Sequence, residues 1–123
     1  MFDERFYVDG LDFEWCLRAR KLGYRIIRCN NIVLNHNPAL TRSIQIFPGI
    51  NIKYGWDTYT RYYYQFRSSF LIHSMYSNYI DIFFIAKIFK VCFLFNNKSK
   101  YINSLIRAKV DFDNNYFGCY KEE

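Results

Sequence analysis

Glycine and proline are scarce in this 123-residue chain, which has five and two of them. The glycines are scattered, so they build no P-loop, no dinucleotide fingerprint and no nucleophile elbow. The four cysteines, Cys16, Cys29, Cys92 and Cys119, form no C-x-x-C pair and no compact metal spacing. They read as thiols of a reducing compartment rather than as a disulfide frame. Met1 is followed by "FDERF", which has no apolar core of a leader, so no secretory signal is expected. No internal repeat is present. Nor is there a long apolar run free of charge. "YIDIFFIAKIFKVCFLF" (79–95) is about long enough to cross a bilayer, yet it contains Asp81, Lys87 and Lys90. Each central charge costs ~2.5–3.5 kcal/mol on insertion, so a helix lying at an interface or against another protein fits better than a span.

What the chain does have is hydrophobic and aromatic residues. Half of it is hydrophobic, with 13 Phe and 12 Tyr, enough for a packed core. The length suits one domain or part of one. The net charge of +6, concentrated after residue 17, fits an anionic partner such as a membrane surface, a nucleotide phosphate or a nucleic acid.

"DFEWCLRARKL" (12–22) reads as a helix, with Asp12 as N-cap, Glu14 in the first turn, Arg18, Arg20 and Lys21 at its end, and Gly23 to stop it. Its apolar positions, Trp15, Leu17, Ala19 and Leu22, predict one buried face. "YRIIRC" (24–29) and "IVLNH" (32–36) read as two short strands separated by "NN". Residues 37–55, with Pro38, Pro48 and Gly49, read as a long loop of the kind that forms lids or binding loops. "WDTYTRYYYQFRSSFLIHSMY" (56–76) has helical periodicity, with Tyr59, Tyr62, Tyr63, Phe66 and Phe70 on one face and Arg61 and Arg67 elsewhere. After the apolar 79–95 segment, "YINSLIRAKVDF" forms a last helix. The order is helix, two strands, loop and three helices: an α/β fragment, with 1–55 as one part and 56–123 as a helical extension. Two strands are too few to complete a sheet.

Several residues carry chemistry. Asp12 has two readings, an N-cap and a general base, and a helix N-terminus keeps a carboxylate ionised for either. Asp9 lies three residues earlier, where it can bind an acceptor or orient neighbours. Glu14 is expected at the surface or paired with Arg18. His36 stands without a partner carboxylate or Cys at metal spacing, so a metal there needs ligands from outside this chain or from substrate phosphates. The aromatic and Arg mixture at 59–67 has the chemistry to stack bases, but no nucleic-acid module accompanies it, and no nucleic-acid partner is expected.

"FDERFYVDGLDFEWCLRARKLGYRI" (2–26) resembles a block in the C-terminal half of family 2 glycosyltransferases, especially the rhamnosyltransferase-like branch. There an acid-rich stretch followed by Trp-Cys-x-Arg precedes a basic strand and then a strand ending in His. "RYYYQFRSS" (61–69) is similar to a helix of the same branch, with Ser68 where Asn is common. Leu11 departs from the common form, which has a second acid beside the base. The resemblance implies a GT-A-type enzyme that transfers a sugar, with inversion, from a nucleotide-sugar to a saccharide or lipid-linked acceptor in cell-surface polysaccharide synthesis. It makes Asp12 the base, and assigns Asp9, Trp15, Arg18, Arg61 and Arg67 to acceptor or substrate binding. It sets His36 at a site for Mg²⁺ or Mn²⁺. The nucleotide-binding half that carries the family's D-x-D motif ahead of this block is absent from this sequence. The expectation is therefore an acceptor-side C-terminal fragment, inactive alone, working with a missing N-terminal half. Its expected location is cytoplasmic, with room for a peripheral position on the inner face of the membrane. The competing reading is a non-catalytic helical module for membrane association or protein interaction.

Overall fold

The structure, a computed structural model, describes residues 2–35, 40–76 and 81–121. In chain order they form α1 (Leu11–Lys21), β1 (Thr41–Phe47), β2 (Ile50–Gly55), α2 (Tyr59–Met75), α3 (Ile82–Leu94) and α4 (Lys98–Asp113). This is a small α/β architecture of four helices and one two-stranded antiparallel sheet among the described residues. The chain divides into two compact units: residues 1–26 with 59–123, and residues 27–58. α1 thus belongs with the later helices, and the hairpin forms a unit of its own.

The core of the first unit lies along α2. Tyr62, Tyr63, Phe66, Leu71 and Ile72 are buried, which agrees with the aromatic face read from the sequence. α4 answers with Tyr101, Ser104 and Ala108, a stripe of helical spacing in which Ser104 and Ala108 are 1% and 0% exposed. Small residues there leave room for the rings opposite. Tyr62 packs edge-on against Phe66, Phe95 and Tyr101 at 5.6, 5.5 and 5.1 Å between centroids. Such pairs contribute roughly 0.5–1.5 kcal/mol each beyond burial. Phe6, Leu71 and Ile72 close the other end, with Leu11, Phe13 and Leu17 of α1 packed on them.

α1 starts differently from expectation. Its N-cap is Gly10, not Asp12, and Asp12 is the second residue of the helix. Gly10 has φ 92°, a left-handed conformation that costs a side-chain-bearing residue energy, and a Cβ there would meet Ser68 Cβ at 2.9 Å. The closeness lets the Ser68 hydroxyl donate to the Asp9 carbonyl, which fixes the start of α1 on α2. Trp15 and Leu22, expected on the buried face, are 49% and 69% exposed. Leu17 turns inward as expected, joined by Leu11, Phe13 and Glu14, and Glu14 is fully buried rather than at the surface.

The strands lie elsewhere than expected. Residues 24–35 form no strand and their side chains are exposed, so β-branched composition alone did not produce a ladder. A strand is stabilised by its cross-strand neighbours, and this segment has none among the described residues. The segment read as a long loop contains the hairpin. Thr41 pairs with Gly55, Ile44 with Ile52 and Phe47 with Ile50, with an irregularity between Gln45 and Phe47. Pro48 and Gly49 make its two-residue turn, and Gly49 takes φ 86°, the sign a type II turn requires at that position. Arg42, Ile44, Ile52 and Tyr54 share one face by their pairing, and the Arg42 guanidinium stacks 4.0 Å over the Trp56 ring.

Candidate active-site cleft

A cleft of about 250 Å³ opens where the start of α1, the middle of α2 and the first turns of α3 meet. Asp9, Gly10, Asp12 and Phe13 line it from the α1 side. Gln65, Ser68, Ser69 and Ile72 come from α2, and Asp81, Phe83 and Lys87 come from α3 and its cap. Three carboxylates, one ammonium and several hydroxyl and amide groups therefore face one small volume.

Asp12 is exposed, and its Oδ1 accepts from the adjacent Phe13 N–H at 2.9 Å. Asp9 pairs with Arg61 of α2, its Oδ2 lying 3.2 Å from the guanidinium Nε. Asp81 caps α3, accepting from the Phe84 N–H at 2.9 Å. Lys87 is half-buried, and burial pushes its ammonium below the usual lysine value, while the negative charges of Asp81 and Asp9 pull it back up.

The other expected site residues do not line this cleft. Trp15 is half-exposed on α1. Arg18 lies 3.3 Å from Glu14 Oε2, as the four-residue spacing predicts, and Tyr76 donates to Glu14 Oε1 at 3.0 Å. Beyond that ion pair, Glu14 Oε2 accepts no hydrogen bond among the described residues. Arg67 is 2% exposed, and its face of α2 is interior rather than outward. Its guanidinium donates to the carbonyls of Tyr116, Phe117 and Gly118 at 3.3, 3.2 and 2.8 Å and to the Tyr63 hydroxyl at 2.9 Å. It pins the segment after α4 onto α2, and these bonds engage both terminal nitrogens of the guanidinium. Burial, followed by the bond to Asp111, holds the Tyr63 phenol well above its usual pKa.

His36 lies outside the described residues. Among the described residues, no three His, Cys, Asp or Glu side chains come together as a metal ligand set.

Sequence reasoning passed over Asp81, Lys87, Gln65, Ser68 and Ser69. Asp81 directly before an apolar run carried an N-cap signal. Lys87 was weighed as a charge against membrane insertion, and nothing in its spacing showed that it would turn toward α1. No helix among the described residues is long and apolar enough to cross a membrane. No family model, no curated protein and no solved structure matches the chain.

Proposed function

We propose that the chain is the acceptor-side part of a GT-A-type glycosyltransferase of family 2, with Asp12 as its general base. The observation that supports this reading is the setting of the Asp12 carboxylate. It is exposed, borders a cleft lined with hydroxyl and amide groups, and is bonded to the neighbouring backbone N–H. A general base must be ionised and within reach of the proton it removes. In this reading an acceptor hydroxyl enters the cleft and gives its proton to Asp12 as its oxygen attacks the anomeric carbon. The nucleoside diphosphate leaves from the opposite face, which inverts the configuration. Gln65 and Ser69, which line the cleft, contact saccharide hydroxyls in this reading. Donor binding falls to a nucleotide-binding half that supplements these residues, and a nucleotide-sugar donor fits a cytoplasmic location. Mg²⁺ or Mn²⁺, with His36 as a proposed ligand, would neutralise the leaving diphosphate there.

Asp12→Asn in the complete enzyme tests the reading. Transfer, followed as nucleoside diphosphate release, is expected to fall by roughly 10²–10⁴-fold in kcat, the range for loss of a general base, with the acceptor KM little changed. Activity close to parental removes Asp12 from the role.

A further inference from the structure

Among the described residues of its unit, α3 has one face that no other element covers. Phe84 turns inward, 5.7 Å from Phe66 and 5.5 Å from Phe70 between ring centroids, and Val91 is buried. Ile82, Ile85, Phe89 and Phe93 point the other way, each between 59% and 70% exposed. At about 100° per residue these four positions fall within one arc of the helix. Ala86 and Cys92 fall in the same arc and are also exposed, so it carries no charged residue. The Phe89 and Phe93 rings stack on each other at 4.4 Å, which makes a continuous aromatic ridge.

The charge around this arc is mainly positive. From Ile82 to Lys100 the chain contains Lys87, which lines the cleft, and Lys90, Lys98 and Lys100, against one carboxylate at the cap, Asp81. Lys90 sits at the edge of the arc by the helical period, and Lys98 and Lys100 are exposed just beyond its C-terminal end. An anionic surface has the complementary charge. The helix has 13 residues and is therefore roughly 20 Å long, too short to span a bilayer but long enough to lie on one.

We propose that α3 lies in the headgroup region of an anionic lipid membrane, with Ile82, Ile85, Phe89 and Phe93 sunk toward the acyl chains and the lysines at the phosphate level. Such a helix combines an apolar face with flanking cations, and its affinity follows both apolar area and anionic lipid content. The inference stands apart from the transferase reading, since it requires neither donor nor catalysis.

Vesicle flotation with the full chain tests it. The parent is expected to bind vesicles of phosphatidylcholine with about a third phosphatidylglycerol at least about tenfold better than pure phosphatidylcholine, with binding weakened by added salt. Phe89→Ser with Phe93→Ser is expected to lose about tenfold of that binding. Ile44→Ser with Ile52→Ser on the hairpin is expected to leave it within about twofold. Far-UV circular dichroism checks each variant, and Ile82→Ser with Ile85→Ser on the same arc replaces the first pair if that pair fails to fold. No binding to anionic vesicles overturns the proposal, as does parental binding by a folded α3 variant. A dimer that the α3 substitutions dissociate also overturns it, because a second copy then covers this face.

Discussion

The Tyr76 hydroxyl donates to Glu14 Oε1 at 3.0 Å, joining the residue just past the end of α2 to the fully buried carboxylate of α1. A buried charge is tolerable only while its partners remain, and here those are one phenol and the Arg18 guanidinium at 3.3 Å. Burial raises the Tyr76 pKa, and the bond to Glu14 adds to the effect, so the phenol stays a donor through the neutral range. Tyr76→Phe removes the donor and keeps the ring. Urea denaturation is expected to show a loss of roughly 1–3 kcal/mol, the cost of leaving a buried acceptor short of a partner. An unchanged midpoint would mean that water replaces the phenol.

Gly10 is held by two independent demands, its φ of 92° and the 2.9 Å approach to Ser68 that a Cβ would make. Gly10→Ala is expected to destabilise the chain by about 1–3 kcal/mol, read from the urea midpoint. Gly23→Ala is the informative comparison. That residue also has a positive φ, but a Cβ there meets nothing within 4 Å. The larger loss at Gly10 would measure the contact with α2 apart from the backbone strain.

Arg67 binds three successive carbonyls after α4, so its loss should free that segment first. Arg67→Met keeps most of the volume and removes every donor, and is expected to cost about 3–5 kcal/mol, the range for breaking a buried charged network. Amide exchange would show the effect as faster exchange at Tyr120, whose N–H donates to the Tyr64 hydroxyl at 2.8 Å. Local protection equal to the parent's would contradict the anchoring role.

Lys87 predicts a pH dependence of definite sign. Its folded-state pKa is lowered by burial, so between that value and the ordinary 10.5 the unfolded chain binds more protons than the native one. This term makes stability rise with pH across that window, and below it the full penalty of burying the ammonium is present. Lys87→Met is therefore expected to be more stable than the parent at pH 7, with the advantage shrinking as the pH approaches 10.5. Tyr63 and Tyr76, whose pKa values are raised, act in the opposite direction above pH 10, and the difference between variant and parent cancels them. An advantage that stays constant with pH would assign the effect to packing.

The four helices were legible because their signals are local. Tyr62, Tyr63 and Phe66 already sat on one face by the 3.6-residue period, and Tyr101, Ser104 and Ala108 repeat at spacings of the same kind. The hairpin was harder. "TRSIQIF" and "INIKYG" alternate, and Pro48-Gly49 between them carries a turn signal, yet Thr, Ser and Asn gave the stretch the composition of a loop. "YRIIRC" misled in the other direction, because propensity for a strand says nothing about whether a neighbour exists. Within the candidate site, Asp9 and Asp12 could be picked out by their place around the start of a helix. Lys87 and Ser68 could not, since what makes them cleft residues is the packing of α1 and α3 with α2. Glu14 was read as a surface residue or a partner of Arg18, and Arg67 as lying off the aromatic face. The Arg18 pair is present, but each residue also has partners remote in sequence, Tyr76 for one and the 116–118 carbonyls for the other.

Lys87 and Phe89 are two positions apart on one helix, so they point roughly 200° away from each other. One lines the cleft and the other belongs to the uncovered ridge. A helix shared in this way cannot shift for one neighbour without shifting for the other. Occupancy of the cleft and coverage of the ridge are then thermodynamically linked wherever either one moves α3. Whatever factor one applies to the affinity of the other is returned in full.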